Sequence, residues 1–438
     1  MRGSGLMSRK PDKGKNAAKP EEAGGLVPRL RFPEFREAGE WESAPMEEMY
    51  AFKATNSLSR DKLNYEGGFV KNVHYGDIHT RFPALFNVRE EYVPYVNVSE
   101  PIDNLSPDSY CVEGDMIIAD ASEDLEDIGK SIEIVRLHNE RVLSGMHTIL
   151  ARQRECRLVV GFGGHLFRSN SIWEQIKKEA QGTKVLGISV RRISKINIFY
   201  PQNRDEQQKI ADCLTSLDDR IRLETERLNA LKDHKKGLMQ QMFPAGGETV
   251  PRLRFAEFRE AGEWDVKMLG DCLDYQQPTD YIVSDTNYDD SYPTPVLTAG
   301  KTFVLGYTNE KHGIFSKHLP VIIFDDFTTA SKFVDFPFKV KSSAMKILQA
   351  KNGLSVKFMY EIMQTISYEV GAHERHWISK FAPMSILVPQ PEEQQKIANC
   401  LSSLDDRIRL ETERLNALKD HKKGLMQQLF PDVHDIAV

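Results

Sequence analysis

Ser216–Gln241 reads SLDDRIRLETERLNALKDHKKGLMQQ, and Ser403–Gln428 repeats it letter for letter. A second phrase, PRLRFPEFREAGEW at Pro28–Trp41, returns as PRLRFAEFREAGEW at Pro251–Trp264, with Pro33 against Ala256. Near-identical repeats imply two copies of one supersecondary unit related by a pseudo-two-fold. The enclosed segments, 42–200 and 265–388, share no such identity. The chain therefore reads as a repeated frame holding two unlike inserts.

In the first copy Ile210, Leu214, Leu217, Ile221, Leu228, Leu231, Leu238 and Met242 fall on alternating four- and three-residue steps. Ile397, Leu401, Leu404, Ile408, Leu415, Leu418, Leu425 and Leu429 do the same in the second. That is a seam repeating every 3.5 residues, with charged side chains on the remaining face. Each copy is expected to be one helix of about 55 Å at ~1.5 Å per residue, stopping before Pro244 or Pro431. So long a seam calls for a second helix, and the other copy is the obvious partner; packing of each helix on its own neighbouring segment is the alternative. With the two-fold axis perpendicular to the helices, their pairing is antiparallel and sets the inserts at opposite ends of a rod. Two seam slots hold Glu224 and Lys235, and their mates hold Glu411 and Lys422. They read either as register devices, acidic slot near basic slot, or as solvated exceptions.

Length and composition place the chain among ordinary globular proteins. Its 438 residues are 40% hydrophobic and 28% charged, enough for two to four domains by the usual size of a core. No run approaches the roughly 18 apolar residues of a membrane span, and the N-terminus lacks the apolar core of a signal peptide. No membrane association is expected, and the cytoplasm is the expected location. Residues 1–27 form a polar tail expected to be disordered. The five cysteines, Cys111, Cys156, Cys213, Cys272 and Cys400, are scattered singly. They fit neither a disulfide framework nor a metal site, and no metal ligands are assigned.

Several catalytic signals fail on inspection. Gly129-Lys130-Ser131 imitates the end of a phosphate loop, but Asp124 stands where its first glycine belongs, and Glu123, Glu126 and Asp127 repel phosphate. Gly161-Phe162-Gly163-Gly164 resembles a cofactor loop with Leu166 in the third-glycine slot. His373-Glu374-Arg375-His376 is one residue short of the spacing that puts two histidines one helical turn apart. No Asn-Pro-Pro-Tyr or Asp-Pro-Pro-Tyr segment for base methylation is present, and no GxSxG elbow. The chain reads as non-catalytic.

Local charge is more informative than the net value of −6. The first insert is acidic up to about Glu140 and basic afterwards, and the second is basic in its later half. Each insert can thus present one basic face to phosphate, although a solvated surface gives the same count. The candidates for DNA contact are Arg152, Arg154, Arg168, Lys184, Arg191 and Arg192 in the first insert. In the second they are Lys339, Lys341, Arg375, His376 and Lys380. Arginine can read guanine with a two-pronged bond; any one of these can instead be a phosphate contact or a surface residue, and Lys184, like Ser189, can be a packing or turn residue. VEGDMIIADAS at 112–122 and HLPVIIFDDFT at 318–328 read as strands leaving acidic turns, and 172–180 and 356–367 read as helices. Each insert is therefore of mixed α/β type.

Taken together, these motifs resemble the specificity subunits of type I restriction-modification systems. The resemblance is carried by the two PRLRF openings and by the closing segments, DEQQKIADCLTSLDDRIRLETERLNALKDHKKGLMQQMFP and EEQQKIANCLSSLDDRIRLETERLNALKDHKKGLMQQLFP. GDMIIADASEDLEDIGK, GTKVLGISVRRISKINIFYP and HERHWISKFAPMSILVP add to it. It implies an α+β protein in which two target-recognition domains are separated by two long antiparallel coiled-coil helices. The expected segments are 28–200 and 251–388 for the domains, and 201–250 and 389–438 for the helices. Each domain is expected to read half of a split, asymmetric site in double-stranded DNA. The helices are expected to set the spacing and dock two methyltransferase subunits, with a restriction and translocase subunit as a further partner. No cofactor is assigned to this chain: S-adenosylmethionine and ATP are expected on the partners. The rival readings are a coiled-coil scaffold holding two ligand-binding modules, and an enzyme fused to this frame.

Overall fold

The computed structural model describes residues 26–102, 105–300, 302–351, 353–368 and 375–432. Of the tail expected to be disordered at residues 1–27, residues 1–25 lie outside them, as does the His373-Glu374 half of the failed zinc motif, whereas the carbonyl of Leu26 accepts from the amide of Trp41 at 2.7 Å and Leu26 packs on the first core.

Both repeated segments are single helices, Arg204–Met242 and Pro391–Leu429, of 39 residues each. The side chain of Asn203 caps the first by accepting from the amide of Asp205 at 2.9 Å. Pro391 opens the second, where its missing donor costs nothing. Both stop where expected, one residue after the last seam position having brought a Phe-Pro pair.

The described chain divides into two units, one of residues 26–222 with 416–432, the other of residues 223–415. Each helix contributes one part to each unit, so the segments expected from the repeats do not coincide with the packed units. The reason is that the helices run antiparallel within both. In the first unit Ile210 and Leu214 share a core with Leu425, Leu429 and Phe430, and Lys422 pairs with Asp218. In the second, Leu238 and Met242 share a core with Ile397, Leu401 and Leu404, and Lys235 pairs with Asp405 at 2.7 Å. Arg227 meets Glu411 at 2.9 Å, and Arg414 meets Glu224 at 3.3 Å. Those two pairs exchange the same residue types between the helices, as a local two-fold does.

The off-pattern charges are thus neither solvated nor matched to one another as expected. Glu224 is buried and meets Arg414, and Lys235 meets Asp405. Arginine and aspartate on the flanks of the seam reach inward to them.

The duplicated PRLRF phrase binds both helices at one end of each unit. Arg31 donates through Nε and Nη2 to the carboxylate of Glu206, both at 2.7 Å, and Arg254 does the same to Glu393 at 2.8 and 2.7 Å. Their remaining Nη1 donors reach the carbonyls of Gly39 and Gly262. Those glycines sit at φ of 79° and 78°, backbone that a side chain would strain. The amides of Leu30 and Leu253 donate to Gln428 and Gln241, capping the end of the opposite helix at 2.9 Å in both units. Trp41 packs edge-on against Phe430 and Phe162, and Trp264 against Phe243 and Phe358. The buried Gln207 and Gln394 then tie the start of each helix to the main chain of its own insert, at Val159 and at Ser355.

Although unlike in sequence, the inserts share a core topology, to which the first adds one edge strand in each sheet. In the first, the larger sheet runs 50–53, 148–153, 116–119, 131–136, 85–87, and the smaller 141–144, 70–73, 95–96, 63–64. In the second the orders are 273–276, 345–350, 321–325, 331–334 and 304–308, 294–297, 339–340. A strand just after the PRLRF phrase pairs antiparallel with one just before the long helix in both, 42–45 with 197–200 and 265–268 with 385–388. The central strands Met116–Ala119 and Val321–Asp325 are apolar without alternation because both faces are covered. Met116 and Ile118 join the core that includes the long helices, whereas Ile117 and Ala119 join a second core on the other face. Ile322 and Phe324 divide from Val321 and Ile323 in the same way. Helices Asn170–Glu179 and Val356–Thr365 occupy the positions read from the sequence.

Candidate nucleic-acid interface

A cation can reach DNA only if the fold leaves it unspent, and the basic halves of the inserts divide on that criterion. Arg152 is spent. It donates through Nε and Nη2 to the buried Asp115 at 2.9 and 2.7 Å and to the carbonyl of Tyr110 at 2.7 Å, and the paired carboxylate raises its pKa further. Arg168 donates to the carbonyls of Ser131 at 2.9 Å and Phe82 at 3.2 Å, and burial pushes its guanidinium down to about 10. Lys339 is buried against Glu310 at 2.8 Å and the carbonyl of His312 at 2.7 Å. His376 is buried, with Nδ1 3.3 Å from the hydroxyl of Tyr368 and its amide on the carbonyl of Asp326. These four are corrections to the sequence expectation: Arg152, Arg168 and Lys339 are internal braces held by carboxylates or carbonyls distant in sequence, and His376 is buried with its ring against Tyr368.

Of the others, five are exposed, while Lys341 and Arg192 are half-buried. Arg154 is exposed, with Nε on the carbonyl of Glu47 at 3.1 Å. Lys341 is half-buried over the ring of Tyr288. Lys184 sits at the tip of a loop closed by reciprocal Gln181 and Gly187 amide bonds of 2.9 and 2.7 Å. Gly182 at φ 132° allows that closure, since an added Cβ would lie 2.0 Å from the carbonyl oxygen of Val185. Leu186 and Gly187 pair in turn with Ser122 and Ala121, so the tip stands on an anchored base. Arg191 is exposed; Arg192 is half-buried and donates to the carbonyl and carboxylate of Glu179 at 3.1 and 3.3 Å. With Ser189 and the exposed Lys195 they line a cleft of about 460 Å³. In the second unit Arg375 and Lys380 are exposed.

Apart from Arg154 and Lys341, these residues share a place in the fold. Lys184, Arg191 and Arg192 lie between the insert's last helix, Asn170–Glu179, and its closing strand, Asn197–Tyr200. Arg375 and Lys380 lie between Val356–Thr365 and Ser385–Val388. One connection in each unit therefore carries cations, with different residues in the two.

Sequence reasoning did not single out an aromatic cluster in the first insert. Tyr65 and Tyr92 stack at 4.4 Å, Arg81 donates to the hydroxyl of Tyr65 and the carbonyl of Tyr92, and nearby Phe69 is 83% exposed. Gly67-Gly68 before an aromatic was the available signal.

The glycine loop has an internal use. Glu133 is fully buried and accepts from the amides of Gly161 at 3.0 Å and Gly164 at 2.6 Å. Burial pushes its carboxyl up to about 7, against the opposing pull of those two amides. The cradle that resembled a cofactor loop is filled by the chain's own carboxyl group. Among the described residues, no three His, Cys, Asp or Glu side chains come together as a metal site, and no helix is long and apolar enough to cross a membrane.

Two unlike α/β recognition domains on a duplicated helical frame define a class of protein with two binding heads. Residues 144–233 and 261–420 match the type I restriction modification DNA specificity domain, and the chain belongs to that family of non-catalytic specificity subunits. It is 50% identical over 133 residues to the specificity subunit of the type I enzymes EcoR124I and EcoR124II of Escherichia coli. That match covers 29% of this chain and 33% of the E. coli protein, so the chain spans about a third of that relative. It is 25% identical over 348 residues to the MjaX specificity-subunit sequence of Methanocaldococcus jannaschii, covering 72% and 77% of the two chains. The crystal structure of a type I S subunit from M. genitalium superposes with a TM-score of 0.63 at 14% identity, over 93% of this chain and all of that one. At that identity the likeness is one of fold.

Proposed function

We propose that this chain is the sequence-reading subunit of a cytoplasmic type I restriction-modification complex. Each insert reads one half of a split, asymmetric site in duplex DNA, and the helices common to both units fix the spacer. The observation that carries this reading is the shared core topology of the two units, with different cations in one equivalent connection: Lys184 and Arg191 against Arg375 and Lys380. Equivalent frames with unlike contacts give unlike half-sites.

Two methyltransferase subunits dock on the repeated helices in this reading. Its support is an identity that helix pairing does not require: Asn229 and Asn416, Asp233 and Asp420, His234 and His421, and Lys236 and Lys423 are all exposed. Duplication alone does not explain it, because the inserts have diverged while these outward residues have not. A surface used twice by one partner does. S-adenosylmethionine and ATP then bind the methyltransferase and translocase subunits, which carry the chemistry.

Selection from a random duplex library by this chain with its methyltransferase subunits tests the reading. One two-part asymmetric motif is expected, and Arg191→Ala with Lys195→Ala is expected to relax or weaken one half only. Recovery of no two-part motif overturns it.

A further inference from the structure

The two places where the repeated helix meets its insert are unlike. In the unit of residues 223–415, the last turns of Arg204–Met242 face the insert helix Val356–Thr365 across a cleft of about 820 Å³. Met239, Phe243 and Ile408 give it apolar lining, and Tyr360 and Gln364 stand opposite. Lys232 and Lys236, one helical turn apart, line it as well; both are exposed, and neither makes an ion pair among the described residues. Lys235 between them is satisfied by Asp405 and Glu361. Two like charges at i and i+4 weaken a helix. A ligand bearing carboxylates offsets that repulsion.

The same residue types recur in the other unit as Lys419, Lys423, Met426 and Phe430. There Met426 and Phe430 line a cleft of only about 240 Å³, bounded by Arg29, Asn170, Ser171 and Asp432, and neither lysine lines it. The helix sequence is identical in the two units. What differs is the insert residues opposite, the residues just beyond the helix, Ala245 and Gly246 against Asp432, and how much of the helix they leave to line the cleft.

Resting on the docking reading above, we propose that the cleft beside Val356–Thr365 is the tighter of two unequal seats for the methyltransferase subunit. It takes an apolar segment flanked by acidic residues. The smaller cleft seats the second copy more weakly, because less apolar surface is covered there and no lysine pair lines the cleft. Assembly is then ordered, with the 223–415 unit occupied first.

Titration of purified cognate methyltransferase subunit into the full chain, followed by native mass spectrometry and calorimetry, tests this. Two steps separated by about tenfold or more in affinity are expected. Lys236→Glu, or independently Lys232→Glu, is expected to abolish the tight step, whereas Lys423→Glu leaves it in place; all three positions are exposed and their thermal midpoints should match the parent. Two equal steps, equal effects of Lys236→Glu and Lys423→Glu, or a loss confined to DNA binding each overturn the unequal seats. Failure of the unaltered chain to bind any methyltransferase subunit overturns instead the docking reading beneath them.

Discussion

Arg152 and Arg191 come from one basic stretch of sequence and serve opposite ends. Asp115, fully buried, lies across from Arg152 and takes two of its donors, whereas Arg191 is exposed beside Lys195. Removing Arg152 strands a buried carboxylate, so Arg152→Ala is expected to destabilise the chain by about 3 kcal/mol. Arg191→Ala is expected to leave the urea midpoint unchanged and lower DNA affinity. A loss of affinity without loss of stability in Arg152→Ala would reverse the assignment. Glu133 supplies a pH dependence of definite sign. Its carboxyl rises from 4.5 to about 7 on folding because burial disfavours the charge. Between those values the folded chain keeps a proton that the unfolded chain has released, so stability falls as pH rises through this window. The contribution amounts to roughly 3 kcal/mol across the window. Glu133→Gln carries no such proton; relative to the parent it should gain stability between pH 5 and pH 8 in urea unfolding. A difference between the two proteins that is flat with pH would mean the carboxyl is ionised in the fold.

Among the elements, the Arg–Glu clamps at the helix starts are the most sharply testable. Arg254 is 6% exposed and Glu393 1%, so Glu393→Ala leaves a buried guanidinium unmatched at a cost of about 3 kcal/mol. The neighbouring pair of Lys396 and Glu257 is half-exposed, and Lys396→Ala should cost no more than about 0.5 kcal/mol. Hydrogen exchange is expected to quicken in 251–264 and at the start of Pro391–Leu429 in the first variant alone. Quickening spread evenly over the chain would deny the clamp a local role. The helices themselves were legible because a 3.5-residue period survives in any context: Ile210, Leu214, Ile397 and Leu401 are buried as the seam requires. Their ion pairs were not. A heptad reading sorts Asp218, Arg227, Asp405 and Arg414 outward, and only the antiparallel alignment brings them to Lys422, Glu411, Lys235 and Glu224. The PRLRF phrase was visible as a repeat, yet its work lies in contacts across 175 and 139 residues, which no local pattern encodes. The same distance hid the fate of Lys339 and Arg168, whose basic neighbourhoods suggested a surface.

For the molecule as a whole, the net charge of −6 and the inward use of many cations limit what this chain can do alone on DNA. Of the residues expected to contact DNA, only Arg154, Lys184, Arg191, Arg375 and Lys380 are exposed, and Lys195 joins them through the cleft it lines with Arg191. Each phosphate neutralised contributes about −0.9 to the slope of log affinity against log salt, so six contacts from this set would give a slope of about −5. The chain by itself is therefore expected to bind duplex DNA weakly and with shallow salt dependence. Addition of the methyltransferase subunits is expected to steepen the slope, because they then supply phosphate contacts that this chain lacks. Fluorescence anisotropy on one cognate duplex at graded salt, with and without those subunits, measures both slopes. A slope for the chain alone as steep as that of the complex would mean that cations beyond this set reach phosphate. Alanine substitution of Arg152, Arg168 or Lys339 would then have to flatten the slope for the division between internal braces and outward contacts to fail.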